Sequence, residues 1–125
     1  DNKITQEFNT EELIPCAGQG TIAIQCREND QEIISILEKI NDNQSRIIAN
    51  AERNVLKILE GDCDTAVGVY AKIIKDIVNI KAELFSVDGK QRFYVDESDN
   101  EKMINDLSIK IGEKLKSESK GSYKR

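Results

Sequence analysis

The chain contains no histidine, which rules out histidine-dependent zinc sites and Ser/His or Cys/His catalytic pairs within these residues; no metal is expected. Cysteine is scarce as well. Cys16, Cys26 and Cys63 are an odd number at irregular spacing, which does not make a disulfide framework. No stretch approaches the ~18 uncharged apolar residues of a membrane-spanning helix. The opening Asp1-Asn2-Lys3-Ile4-Thr5-Gln6 lacks the pattern of a signal peptide. The expected setting is therefore the cytoplasm, with no membrane partner. Basic charge is also in deficit: a net charge of −5 argues against a nucleic-acid binder, because counterion release needs clustered Lys and Arg. Lys114, Lys116, Lys120, Lys124 and Arg125 do gather at the end of the chain, interrupted by serine and glutamate. They read as a solvated final helix with a frayed tail in preference to a phosphate site.

What is present suffices for one compact domain or for pieces of two: 125 residues, 38% apolar and 33% charged. Residues 1–13 show no strong period, and Pro15 closes off any helix before it. Gly18-Gln19-Gly20 can take positive φ at two places and allows close approach to the backbone. A strand is expected over residues 21–26, with Ile22, Ile24 and Cys26 on one face by alternation. Asp30 is a suitable N-cap for a following helix whose Ile33, Ile34, Ile36, Leu37 and Ile40 fit the helical period. This strand-turn-helix unit lacks sheet partners, so its edges and apolar face are expected to lie open.

Asn41-Asp42-Asn43-Gln44 reads as a connector and cap. A longer helix follows to about Leu59, with Ile47, Ile48, Ala51, Val55, Ile58 and Leu59 in a broad apolar stripe and Gly61 suited to its end. Three strands are expected next, over residues 65–74, 77–87 and 91–95. Val67, Val69, Ala71 and Ile73 share a face of the first, and Val78, Ile80, Ala82 and Leu84 a face of the second. Lys75-Asp76 and Asp88-Gly89 serve as the turns. A final helix over residues 100–116 buries Met103, Ile104, Leu107, Ile111 and Leu115. Helix, three antiparallel strands and helix make an α+β layer.

Cys63 lies in Leu59-Glu60-Gly61-Asp62-Cys63, where the amphipathic helix ends and the chain turns into a β-branched run. A thiol on such a connector is fixed yet reachable, although free cysteine near a helix end is also commonly just a small buried residue; Cys16 and Cys26 read in that second way. Glu60, Asp62 and Asp64 crowd Cys63 with carboxylates, and the helix C-terminus adds partial negative charge. All of these disfavour the thiolate. Any activation must come from elsewhere in the fold, with Arg27 and Arg53 the candidates. By itself Arg53 reads as a surface or ion-pair residue, with Glu52 a possible partner, and Arg27 has the same two readings.

The segment from Cys63 through Asp64-Thr65-Ala66-Val67-Gly68-Val69-Tyr70 resembles the cofactor-attachment region of the porphobilinogen deaminase (hydroxymethylbilane synthase) family. The Arg53 of Ala51-Glu52-Arg53 stands ten positions upstream of the cysteine. Upstream again, Glu11-Glu12-Leu13-Ile14-Pro15-Cys16-Ala17-Gly18-Gln19-Gly20 leads into Ile22-Ala23-Ile24-Gln25-Cys26-Arg27, matching that family's acidic pair, proline, glycine-glutamine turn and strand ending near an arginine. The likeness is dense over residues 11–72. Two positions depart from it: Asp62 stands where the family has glycine or serine, and Ala66 where it has proline.

The resemblance implies a C-terminal portion of a longer enzyme. Residues 1–17 would be the tail of the second domain and a crossing segment, residues 18–40 a strand-helix unit completing an otherwise absent α/β first domain, and residues 41–125 the C-terminal α+β domain. It implies a dipyrromethane cofactor joined through Cys63, with Gln19, Gly20 and Arg27 also cofactor-binding, and Arg53 and Arg27 binding substrate carboxylates. The substrate would be porphobilinogen, condensed into hydroxymethylbilane with release of ammonia in tetrapyrrole and haem biosynthesis. No catalytic residue carries over, because the family's catalytic aspartate belongs to the first domain. The partners implied are the missing N-terminal domains, and the complete enzyme would be a monomer. The alternative is a noncatalytic α+β binding module or split-gene remnant of the same ancestry, which the departures at Asp62 and Ala66 favour.

Overall fold

The computed structural model describes residues 3–61 and 64–124. Its elements are α1 (Gln31–Glu38), α2 (Asn43–Leu59), β1 (Val67–Ile74), β2 (Ile77–Phe85), β3 (Arg92–Asn100), a 3-10 turn (Glu101–Met103) and α3 (Ile104–Ser119). The three strands form an antiparallel meander in the order β1-β2-β3. The fold class is the expected α+β.

Caps start the first two helices where the sequence puts them. The Asp30 side chain accepts from Ile33 N–H at 3.2 Å, and Asp42 accepts from Ser45 N–H at 2.6 Å, each satisfying an orphan donor of the first turn. The Ser45 bond also holds the Asp42 carboxyl below its ordinary range. At the far end of α2 the left-handed residue is Glu60, with φ 52°, and not Gly61. Gly61 packs closely against the following segment: a Cβ there would meet Thr65 Oγ1 at 3.2 Å. In the β1-β2 hairpin, Lys75 and Asp76 both take positive φ, at 49° and 62°. That is the handedness a two-residue turn needs to match the strand twist.

Register explains the core. Val69 pairs with Ala82 and Ala82 with Val95, while Ala71 pairs with Ile80. One sheet face is therefore apolar across its width, and α2 and α3 cover it. Ala51, Val55 and Leu59 of α2 and Ile104, Leu107, Ile111 and Leu115 of α3 complete this buried cluster. The expected faces of both helices and of β1 and β2 are thus largely the observed ones, with two exceptions. Ile47, expected in the stripe of α2, is 39% exposed near the start of the helix, ahead of its buried residues. Met103 is 41% exposed, because it belongs to the 3-10 turn and precedes the first buried turn of α3.

Two further expectations are corrected. β3 runs to Asn100, well past the expected end at Val95. Its second half, Asp96-Glu97-Ser98-Asp99-Asn100, has poor strand propensity, and neighbouring elements compensate. Asn79 Nδ2 donates to Asp96 at 2.6 Å, and Lys110 and Lys114 of α3 reach Glu97 at 2.9 and 3.1 Å. The other correction is at residues 21–26, which form no paired strand. No strand among the described residues lies alongside to share a ladder. The following α1 buries none of its residues, so the open apolar face expected of this unit is what the structure has.

The helix pair is tightest at Gly112, where a Cβ would come within 2.8 Å of Ile58 Cβ. Gly112→Ala should therefore destabilise the chain by about 1–3 kcal/mol through overpacking, despite the ~1 kcal/mol that alanine gains over glycine in helix propensity. The urea midpoint measures this, and a stabilised variant would contradict it.

Hydrogen bonds from Lys110 and Lys114 hold the Glu97 carboxyl below its ordinary range. A carboxyl whose folded pKa is depressed contributes stability above its unfolded pKa and loses it as pH falls through the folded value. Between about pH 5 and pH 3, wild-type stability should fall more steeply than that of Glu97→Gln. Thermal melts across that range give the two slopes.

Candidate ligand cleft beside the end of helix α2

Glu52 sits on the buried stripe of α2, one turn before Val55, and is 6% exposed. Its two carboxylate oxygens accept from Ala71 N–H of β1 at 2.8 Å and from Gly18 N–H at 2.7 Å. Val69 N–H, the neighbouring outward donor of β1, bonds Pro15 C=O at 2.9 Å. The open edge of the sheet is thereby closed by the segment leading into the glycine turn, which blunts an otherwise unpaired strand edge. Ile14 packs over Gly68, where any Cβ would come within 2.7 Å of the Ile14 carbonyl oxygen. Glu11 forms an ion pair with Lys81 on the outer sheet face. Gly18 and Gly20 take φ 73° and 79°, as the motif required.

Consecutive helix residues point about 100° apart, so locking Glu52 against β1 turns Arg53 outward. Arg53 does not pair with Glu52. It lines an open cleft of about 840 Å³ with Ala17, Asn50, Asn54, Lys57, Glu60, Gly61 and neighbours. Arg53 and Lys57 lie four apart on one helix face, and neither makes an ion pair with a described residue. Glu60, the acidic group of the lining, is occupied: Lys124 and Lys116 contact its Oε2 at 2.9 and 3.2 Å and hold its carboxyl below the ordinary glutamate range. The cleft therefore offers two uncommitted cations and three amide side chains, Asn50, Asn54 and Asn105. That combination suits a carboxylate-bearing ligand.

The residues singled out in the sequence are only partly brought together. Cys63 and Asp62 lie outside the described residues; Gly61, two positions before Cys63, is in the cleft wall with Arg53. Ala17, at the start of the glycine turn, joins the same wall. Gln19 is exposed and its side-chain oxygen accepts from Cys16 Sγ at 2.9 Å, while Gly20 lies exposed beside it. Arg27 is 85% exposed, contacts Asp30 at 3.3 Å and borders a separate open depression of about 540 Å³ at the start of α1. Cys16 and Cys26 are free and exposed, not buried as expected. Cys26 has no sheet to face, and Cys16 lies at the surface next to Gln19. Sequence reasoning missed Glu52, Lys57 and the three asparagines. Glu52 did carry a signal: a carboxylate at i+4 from Ile48 and i−3 from Val55 falls inside the apolar stripe.

A three-stranded meander backed by two helices, with a cationic cleft at a helix end, defines a small α+β domain. Comparison with known families identifies which one. The family model for "Porphobilinogen deaminase, C-terminal domain" matches residues 47–117, and that for "Porphobilinogen deaminase, dipyromethane cofactor binding domain" matches residues 1–35. The chain belongs to the porphobilinogen deaminase family. Among similar proteins, the porphobilinogen deaminase of Exiguobacterium sibiricum is 40% identical over 89 residues, covering 70% of this chain and 29% of that protein. The enzyme of that name from Prochlorococcus marinus is 33% identical over 116 residues, 93% of this chain and 37% of the relative. That of Coxiella burnetii is 31% identical over 115 residues, 92% of this chain and 38% of the relative. The chain thus spans about a third of the length of these relatives. Among the described residues no helix is long and apolar enough to cross a membrane.

Glu52→Gln should cost about 1–3 kcal/mol, because an amide can accept only one of the two N–H groups and turns a donor toward the other. Hydrogen exchange at Gly18 and Ala71 should speed up ahead of the core amides of β2. Unchanged protection at both positions would contradict the bridging role.

Proposed function

We propose that this chain is the C-terminal portion of a porphobilinogen deaminase. The enzyme joins four porphobilinogen molecules head to tail into hydroxymethylbilane, releasing ammonia, in tetrapyrrole and haem biosynthesis. The observation that carries the reading is the cleft, which combines the uncommitted Arg53 with Gly61 two positions before Cys63. In this reading Cys63 holds the dipyrromethane cofactor as a thioether and anchors the growing pyrrole chain. Arg53 pairs with the acetate and propionate groups of that chain, in the bidentate geometry guanidinium favours. Arg27, with Gln19 and Gly20, serves the cofactor from the strand-helix unit once that unit is seated in the first domain.

The domain division follows the same reading: residues 1–17 cross over, 18–40 complete the first domain, and 41–125 form the third. The two family matches, 1–35 and 47–117, flank the proposed boundary at residue 41 and support it. The bare helix α1 supports it too, since its exposed Ile33, Ile36 and Ile40 need a covering surface. Protons are handled by an aspartate in the N-terminal domains, so residues 1–125 alone are inactive. The complete enzyme is a cytoplasmic monomer, a setting in keeping with exposed free thiols at Cys16 and Cys26.

Asp62 and Ala66 motivate a second reading, a noncatalytic module of the same ancestry. Ala66 weighs little in its favour, because the backbone there is held without proline: Ala66 C=O accepts from Phe85 N–H at 3.0 Å. Coexpression with the N-terminal domains of the Exiguobacterium sibiricum relative separates the two. The enzyme predicts an intact-mass gain matching dipyrromethane, abolished by Cys63→Ser, and turnover that Arg53→Ala lowers about 10- to 100-fold in kcat/KM. An unmodified thiol in an assembled, folded complex would establish the module instead.

A further inference from the structure

The lysines at the end of the chain are not a frayed tail. After α3 the chain reverses through Lys120 and Gly121, at φ 49° and 78°, and Ser122 C=O accepts from Val87 N–H at 2.9 Å. The turn places Tyr123 in the core at 4% exposure. Its hydroxyl donates to Leu59 C=O at 2.8 Å, one of the carbonyls that the end of α2 leaves without an intrahelical partner. Next to it, Lys124 joins Lys116 on the Glu60 carboxylate. Glu60 is the left-handed residue that terminates α2, and Cys63 follows three positions later. Two consecutive residues of the tail thus hold two consecutive residues of the helix end, one through its carbonyl and one through its side chain.

We propose that the turn over residues 120–124, together with Lys116, is a positioning clamp for the connector that carries Cys63. Tyr123 fixes where α2 ends, and the two lysines neutralise the carboxylate nearest the connector on its helical side. This rests on the reading of Cys63 as the attachment thiol. Tyr123, Lys124 and Lys116 act through Glu60 and the helix end and are positioning residues. The charged groups at this end of α2 are Glu60 with its partners Lys116 of α3 and Lys124 of the tail, and Arg53 and Lys57 on α2; Asp62 and Asp64 follow in the sequence. With both lysines removed, the Glu60 carboxylate loses the two cations in contact with it, and its charge disfavours a thiolate three positions on.

The test uses the full 125-residue chain and alkylation by iodoacetamide, in which the thiolate displaces iodide after its proton has passed to solvent. Peptide mass spectrometry reads Cys63, with Cys16 and Cys26 in the same molecule as internal controls. The double substitution Lys116→Gln and Lys124→Gln should slow Cys63 alkylation near neutral pH by about threefold to tenfold relative to the controls and move its pH-rate profile upward. Adding Glu60→Gln should restore the rate while circular dichroism stays unchanged. Tyr123→Phe, which keeps the ring and removes the donor, should speed hydrogen exchange at Glu60 and Gly61. An unaltered Cys63 profile in the double variant, or no recovery with Glu60→Gln, overturns the clamp. If the purified chain already carries an adduct on Cys63, the same comparison is made on the loaded fraction by intact mass. A loaded fraction indifferent to the three substitutions overturns the clamp while leaving the attachment reading standing.

Discussion

The contact on which the arrangement turns is the Glu52 carboxylate, shared between a strand-edge amide and the amide of Gly18. Burying a carboxylate is costly unless its oxygens are matched by donors. Here each oxygen has a backbone N–H in charge-assisted geometry. Three consequences follow from one side chain. The outer edge of β1 is closed, the segment around Pro15 and Gly18 is tied to the α+β layer, and α2 is fixed in rotation about its own axis, so that Arg53, the next residue, faces the cleft. Without that lock the helix would still be amphipathic, but which flank it offers to a ligand would be set by apolar packing alone, which is far less directional.

Legibility in the sequence tracked how local the determining physics was. β1, β2, α2 and α3 could be read because most of their apolar residues repeat at periods of 2 and 3.6 and face the single core. The acidic half of β3 could not, since its strand character depends on Asn79 and on Lys110 and Lys114, partners well away in the chain. Residues 21–26 alternate as a strand should, yet alternation only describes a face. A strand also needs a neighbour, and none of the described strands lies beside it. Glu52 was hidden by its type: a glutamate beside an arginine suggests an i,i+1 pair, although adjacent helix residues do not face each other. The position in the stripe was the better guide.

The site was legible as a set of residue types and much less as a geometry. Arg53 and Gly61 at the end of α2 share one cleft wall with Ala17, the residue before the glycine turn, while Gln19 and Gly20 lie exposed outside it. Arg27 does not join them, for a reason the composition of the segment explains. The segment before and through α1 carries isoleucines that no described residue covers, so among the described residues the direction of Arg27 is set by Asp30 three positions on. Residues on the packed α+β layer have their orientation fixed by the core, whereas those on the uncovered unit take theirs from local bonds.

Charge near Cys63 illustrates the same distinction between what is near in sequence and what is near in space. Counting along the chain gives Glu60, Asp62, Asp64 and a helix C-terminus, all of negative sign. Folding changes two of these contributions at once. Lys116 and Lys124 are brought to Glu60, and the Tyr123 hydroxyl takes up the Leu59 carbonyl, one of the groups that carry the negative end of the helix dipole. At separations near 3 Å these pairs lie well inside the ~8 Å screening length of physiological salt, so solvent ions do not substitute for them. The negative charge that the linear sequence assigns to the end of α2 is thus met, at Glu60 and at the Leu59 carbonyl, by the end of the chain folded back on the helix.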